Sequence, residues 1–303
     1  MPIPVIIDCD PGMDDMLALL LAAASAELDI LTVTAVAGNR QVETTAFNAR
    51  RIMDFAGCEH VPVYAGAARP ITDNEPQVND VHGKDGLGGA DIPVQGRVNE
   101  GFAPDVLVDL LNGAAGISLV AIGPLTNLAL AELRQPGTLK KAESILIMGG
   151  AAFCQGNATP VAEFNIYADA VAAHIVFNSG AKVVMFGLDV TRKALVTPAF
   201  EDELATLGNQ TSGFIQQMFD FYAYGRFKLH DPCPVAYLMQ PALFSGVEAY
   251  TGVDFNRGPN LGKTNVWQEV DENRPGPLNS LVVTEVDNQA LLALLMARYR
   301  LLP

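Results

Sequence analysis

Short apolar runs rich in β-branched residues recur at Pro4–Ile7, Leu31–Val36, Val61–Tyr64, Ile117–Ile122, Ile145–Met148 and Val183–Gly187, most of them followed by a helical pattern. Strand alternating with helix implies parallel strands joined by crossover helices. The expected fold is therefore α/β: one domain over residues 1–303, with a mostly parallel, doubly wound (Rossmann-like) central sheet flanked by helices. Its active site is expected at the C-terminal ends of the strands. Helices are expected at Asp14–Ser25, Thr44–Ala56, Pro104–Asn112, Leu125–Leu133, Asp169–Asn178, Pro198–Leu207, Gly213–Gly225 and Asn288–Tyr299, with a short one after Pro232. Residues Arg69 to Glu100, rich in Gly, Asp, Asn and Pro, read as a loop that lines or covers a site. Trp267, the single tryptophan, falls in a late strand. No linker or internal repeat divides the chain.

Composition narrows the partners. With 19 basic against 34 acidic residues the net charge is −15, a field that repels phosphate backbones, so no nucleic acid polymer is expected. Cys9, Cys58, Cys154 and Cys233 are scattered and form no C-x-x-C pair, which argues against a disulfide framework or zinc knuckle and fits a reducing cytoplasm. No basic segment precedes the first apolar run, and the longest such run, Met16 to Ala24, is far short of the ~20 residues that span a bilayer, so no membrane role is expected.

The densest chemistry lies in Asp8-Cys9-Asp10-Pro11-Gly12-Met13-Asp14-Asp15, where four carboxylates crowd the end of a strand and the start of a helix. Pro11 biases Asp10 towards an extended backbone, Gly12 permits a tight turn, and the helix dipole favours acids in its first turn. A helix terminus alone cannot neutralise four. One reading has Asp14 capping the helix while the others are solvated. The other has some of these acids binding a hard cation through oxygen, leaving the rest for substrate hydroxyls. An EF-hand starting at Asp8 is excluded, because its sixth and twelfth positions are Met13 and Leu19 rather than Gly and Glu. A haloacid dehalogenase-type phosphatase also opens on a strand and Asp-x-Asp, but no clear match appears for its later Lys and acidic pair.

Two further segments carry candidates. His230-Asp231-Pro232 reads either as a helix start with Asp231 at the N-cap, or as a proton donor beside one more carboxylate. Gly156 to Asn165 combines Asn157, Glu163 and Asn165 and reads either as a polar turn or as a grip for sugar hydroxyls; Asn39 and Thr126, each just past a strand, carry the same two readings.

Together these pieces resemble the inosine-uridine-preferring nucleoside hydrolase family, whose D-x-D-P-G-x-D-D opening matches Asp8 to Asp15 in order. Matching elements recur as Ala37-Gly38-Asn39, His82 to Gly88, Gly123-Pro124-Leu125-Thr126-Asn127, Gly156 to Asn165 and His230-Asp231-Pro232-Cys233. The resemblance implies hydrolysis of the N-glycosidic bond of ribonucleosides to ribose and free base. It implies that Asp10, Asp15, Asp231 and the main-chain carbonyl of Thr126 bind calcium (Ca2+), leaving room for water and two ribose hydroxyls. By the same resemblance Asp14, Asn39, Asn157, Glu163 and Asn165 fix the ribose, Met148 and Phe164 wall it, and Asp8 supports from behind. The resemblance further implies that Asp10 prepares the water and that His230 protonates the leaving base. Tyr222 and Arg226 are the base-contact candidates, Tyr222 also being the substitute acid. Relatives restricted to purines are expected to sandwich the base between tryptophans; a second Trp is absent here, which favours a pyrimidine or mixed preference. A homo-oligomer, dimer or tetramer, is also implied. Competing functions are hydrolysis of a related riboside, such as nicotinamide riboside or a modified nucleoside, and calcium-dependent ribose or nucleoside binding without turnover.

Overall fold

A computed structural model describes residues 1–303 except 74, 75, 77, 79, 80, 223–225 and 269–271. The end of the expected helix Gly213–Gly225 and part of the expected loop Arg69–Glu100 lie outside the described residues. Among those described, nine strands form one sheet: β1 (Ile3–Cys9), β2 (Leu28–Ala35), β3 (Val63–Ala65), β4 (Ser118–Ala121), β5 (Ser144–Met148), β6 (Val183–Phe186), β7 (Phe244–Val253), β8 (Thr264–Gln268) and β9 (Ser280–Val286). Their order is β3-β2-β1-β4-β5-β6-β9-β7-β8. Strands β1 to β6 and β9 run parallel to one another, while β7 pairs antiparallel with both β9 and β8. The parallel, doubly wound core is as expected. The antiparallel edge extends it, and Trp267 falls in β8.

Helices cover both faces: α1 (Met13–Ala23), α2 (Val42–Phe55), α3 (Ala103–Gly113), α4 (Thr126–Arg134), α5 (Phe164–Ala168), α6 (Ala170–Phe177), α7 (Leu188–Thr191), α8 (Pro198–Leu207), α9 (Gln210–Phe221), α10 (Pro232–Met239) and α11 (Asn288–Tyr299). Alternate residues of β1 feed separate cores, as the two-residue period of a strand requires. Val5, Ile7 and Cys9 pack with α1, α2, α10 and α11, whereas Ile6 packs with α3, α4 and α6. Helix α1 is apolar nearly all round and buried with it, Leu17, Leu19, Leu20 and Leu21 being wholly enclosed. Each such leucine contributes about 1.5–3 kcal/mol from its burial. That investment fixes the acidic first turn of α1 against the end of β1.

Strand order reverses between β2-β1 and β4-β5, which opens a crevice at the carboxyl ends of β1 and β4 where ligands of such sheets bind. Asp8, Asp10 and the start of α1 stand at that crevice.

Candidate active site

Asp8 lies behind the site and ties its walls together. Its Oδ1 accepts hydrogen bonds from Thr34 Oγ1 in β2 (2.5 Å) and Asn127 Nδ2 in α4 (2.8 Å). Burial pushes its carboxyl up to about 7, against the pull of those two bonds.

Asp10 follows, with backbone closing on it from two sides. Its Oδ2 accepts the Asn39 N–H at 2.6 Å, while Oδ1 is buried without a hydrogen-bond partner among the described residues. A Cβ at Gly38 would stand 2.2 Å from Oδ2, and one at Gly123 2.6 Å from Oδ1. Both glycines of the sequence motifs are thus explained by close approach to one carboxylate.

Asp15 is the third residue of α1 and accepts from Asp10 N (3.1 Å) and Gly12 N (2.9 Å), so the turn over Pro11 and Gly12 is wound around its side chain. Asn39 Nδ2 reaches the same carboxylate at 3.3 Å. Asp14 does not cap the helix; one oxygen each from Asp14, Asp15 and Asp231 lies within 4.8 Å of the others. Asp231 stands at the N-cap of α10, as the helix-start reading has it, but its side chain makes no capping bond and converges with Asp14 and Asp15 instead.

Burial and then mutual repulsion raise Asp10, Asp15 and Asp231 above the ordinary carboxylate range, Asp15 to about 7. Three converging carboxylates, with Asp10 in electrostatic reach of Asp14 and Asp15 and its Oδ1 buried without a hydrogen-bond partner among the described residues, fit a hard cation with oxygen ligands. The expected metal set was Asp10, Asp15, Asp231 and Thr126; the converging oxygens are those of Asp14, Asp15 and Asp231. Thr126 opens α4 with its hydroxyl committed to Asp169 Oδ2 at 2.8 Å, which leaves its carbonyl as the group to consider.

In front of the acids lies a cavity of ≈ 410 Å³. Of the expected substrate residues, Asp14, Asn39, Met148, Asn157, Glu163, Phe164, Asn165 and Tyr222 line it, as do His230 and Asp231. Arg226 does not: it is exposed. The chain returns from α9 so that Val196 N bonds Phe227 O (2.9 Å) and Leu229 N bonds Ala194 O (2.9 Å), and this short ladder turns Phe227 and Lys228 to the cavity instead.

Glu163 caps α5, its Oε2 accepting from Gly150 N (3.1 Å), Asn165 N (2.9 Å) and Ile166 N (3.3 Å), while burial raises the group to about 7. Asn165 spends its amide hydrogens on the carbonyls of Ile122 (3.0 Å) and Met148 (3.1 Å), so its own oxygen is the end left to a ligand. Asn157 is turned the other way, its oxygen accepting from Phe164 N at 2.9 Å. These two amides therefore offer an acceptor and donors respectively.

His230 Nδ1 lies 2.8 Å from Thr191 Oγ1. Burial lowers its imidazole to about 4, opposed by Asp14 and aided by Lys228, His82 and Arg192. His82, Arg192 and Lys228 are cavity residues to which the sequence assigned no role. His82 Nδ1 accepts from Met13 N at 3.1 Å, which fixes it as a neutral ring carrying its proton on Nε2, and burial lowers its pKa. Its membership of the His82 to Gly88 motif was the available signal. Arg192 follows α7, a four-residue helix with no sequence signature.

Residues 5–293 match the family model described as inosine-uridine preferring nucleoside hydrolase. A pyrimidine-specific ribonucleoside hydrolase, RihA, of Klebsiella pneumoniae is 38% identical, with 98% of each chain covered. Among solved structures, a plant nucleoside hydrolase (PpNRh1) superposes with a TM-score of 0.93 at 32% identity, covering 99% of each chain. A purine-preferring ribonucleoside hydrolase from Gardnerella vaginalis superposes at 0.91 with 32% identity and 98% of each chain covered. With an acid cluster at the sheet's switch point and a family match over nearly the whole chain, the protein belongs to the inosine-uridine preferring nucleoside hydrolase family, enzymes that cleave the N-glycosidic bond of ribonucleosides.

Proposed function

We propose that this enzyme hydrolyses ribonucleosides at a calcium-dependent site, with pyrimidine or mixed base preference. The observation that carries the reading is the convergence of oxygens from Asp14, Asp15 and Asp231, two of which line a cavity sized for a nucleoside, together with the buried Asp10 Oδ1 that has no hydrogen-bond partner among the described residues. Asp10, Asp15, Asp231 and the Thr126 carbonyl are the proposed calcium-holding groups, and Asp14 is proposed as a carboxylate shared between ion and ribose, supported by its convergence with Asp15 and Asp231. Bound there, calcium would supply Lewis acidity and a fixed positive charge.

The chain's own groups then divide the work. Asp10 takes a proton from the attacking water. Asp14, Asn39, Asn157, Glu163 and Asn165 grip the ribose hydroxyls, with Met148 and Phe164 as its wall. As the bond to the base stretches, positive charge grows on the sugar among the carboxylates of Asp10, Asp14 and Glu163. His230 is neutral near pH 7, so its role is proposed as a hydrogen-bond donor to the base rather than as a store of a transferable proton. Tyr222, which lines the cavity, is the proposed contact to the base.

Base preference rests on the aromatic lining, which is Phe164, Tyr222 and Phe227; Trp267 packs against Tyr250 at a ring distance of 5.8 Å in the antiparallel edge. No tryptophan lines the cavity among the described residues. Rates of ribose release from uridine, cytidine, inosine and adenosine test this. Uridine or cytidine at or above inosine supports it, and cleavage restricted to purine nucleosides contradicts it. A homo-oligomer, dimer or tetramer, in a reducing cytoplasm completes the proposal, in keeping with four free cysteines and checked by light scattering and cell fractionation.

A further inference from the structure

Two cations stand on one wall of the cavity without an ion-pair partner among the described residues. Arg192 follows α7 and Lys228 precedes His230; both are half-buried and both line the cavity. The ladder of Ala194–Val196 against Phe227–Leu229 holds the two segments side by side, and the 2.8 Å contact from Thr191 Oγ1 to His230 Nδ1 extends it by one rung. Arg192 and Lys228 therefore flank the Thr191–His230 contact from opposite strands of the ladder. Arg192 donates through Nη2 to the neutral carbonyl of Gly156 at 2.9 Å. Among the described residues, neither cation forms an ion pair within 4.0 Å, and the Lys228 ammonium makes no hydrogen bond. Asp14, Glu163 and Asp231 line the same cavity but form no ion pair with either cation, so the two are placed to meet negative charge that a ligand brings.

A neutral ribose supplies none, but a departing base does. We propose that Arg192 and Lys228 are catalytic residues that hold the negative charge growing on the base as the N-glycosidic bond breaks. The electron pair of that bond passes to the base nitrogen, the water oxygen bonds the anomeric carbon, and the water's proton goes to Asp10. The base leaves as an anion against the two cations and takes a proton from solvent on release; Asp10 returns its own proton to solvent. Charge placed where it develops in the transition state is worth more than charge that binds substrate and transition state alike. Bases that bear negative charge well, through ring carbonyls beside an N–H, are the ones this wall favours.

The inference rests on the ribonucleoside hydrolase reading, and kinetics on paired leaving groups separates the two. Uridine and 5-fluorouridine differ little in shape, but fluorine makes the base a stronger acid that needs less help in leaving. Arg192→Gln and Lys228→Gln are each expected to lower kcat on uridine about 10- to 100-fold with a smaller loss on 5-fluorouridine. KM is expected to change far less than kcat. Arg192→Lys and Lys228→Arg, which keep the charge, are expected to recover most of the rate. Equal losses on both substrates, or wild-type rates in the glutamine variants, would overturn the proposal. If the wild type releases ribose from no nucleoside, the hydrolase reading itself falls, and this inference with it.

Discussion

Asn39 satisfies one oxygen of Asp10 and leaves the other: its backbone N–H reaches Oδ2 at 2.6 Å, while Oδ1 is buried with no hydrogen-bond partner among the described residues. An unpaired buried carboxylate oxygen is costly. Asp10→Asn can keep the Asn39 bond through its amide oxygen while losing both the charge and the capacity to take a proton. The variant is expected to fold, to melt higher than the wild type when both are stripped of metal, and to lose about 10²- to 10⁴-fold in kcat. Calorimetry and ribose-release kinetics check both arms.

The glycines around Asp10 make a second prediction. An alanine at Gly123 places its Cβ 2.6 Å from Asp10 Oδ1, and one at Gly38 stands 2.2 Å from Oδ2. Either substitution displaces the carboxylate, at a stability cost of about 1–3 kcal/mol. The expected signature is a loss of kcat far larger than that cost explains, together with weaker calcium binding by titration calorimetry.

Metal removal should be visible without any substrate. Asp10, Asp15 and Asp231 repel one another when no cation is present, so chelation is expected to lower Tm and added calcium to restore it. At a calcium concentration of 100 times Kd the stabilisation is about 2.7 kcal/mol. A Tm indifferent to calcium would contradict the assignment.

Glu163 sets a pH dependence. Burial raises it from 4.5 to about 7 in the folded protein. With the folded value above the unfolded one, the stability linked to its proton is full below about 4.5 and is lost as pH rises through about 7. Glu163→Gln should remove that component of the Tm-against-pH curve. Activity should run the opposite way, because a carboxylate accepts from ribose hydroxyls better than a neutral acid. The wild-type kcat/KM for uridine is therefore expected to rise through pH 7, and the rise to vanish in Glu163→Gln.

Much of this was legible in the sequence because strand ends carry the chemistry. β-branched runs marked β1 to β6, and an acid cluster at the end of β1 marked the crevice. The edge strand β7 was not foreseen: Phe244–Val253 buries residues irregularly and contains Gly246 and Gly252, so no clean periodicity identifies it. Helices α5 and α7, of five and four residues, are too short for a helical period to show. That brevity hid Arg192, and it hid the capping of α5 by Glu163 within a segment that reads equally as a polar turn. That Lys228 rather than Arg226 lines the cavity depends on pairing of this segment with residues 194–196, some 30 positions away in sequence, which no local pattern reveals. Asp14 shows the reverse limit: its place in the motif was plain, but its convergence with Asp231 needed the approach of α10 to α1.

The most direct test of the account is ribose release from uridine by the chelated enzyme before and after calcium is added back. The account predicts negligible release without the ion and full recovery with it, and no recovery in Asp10→Asn. Release that is unchanged by chelation, or undiminished in Asp10→Asn, would contradict it.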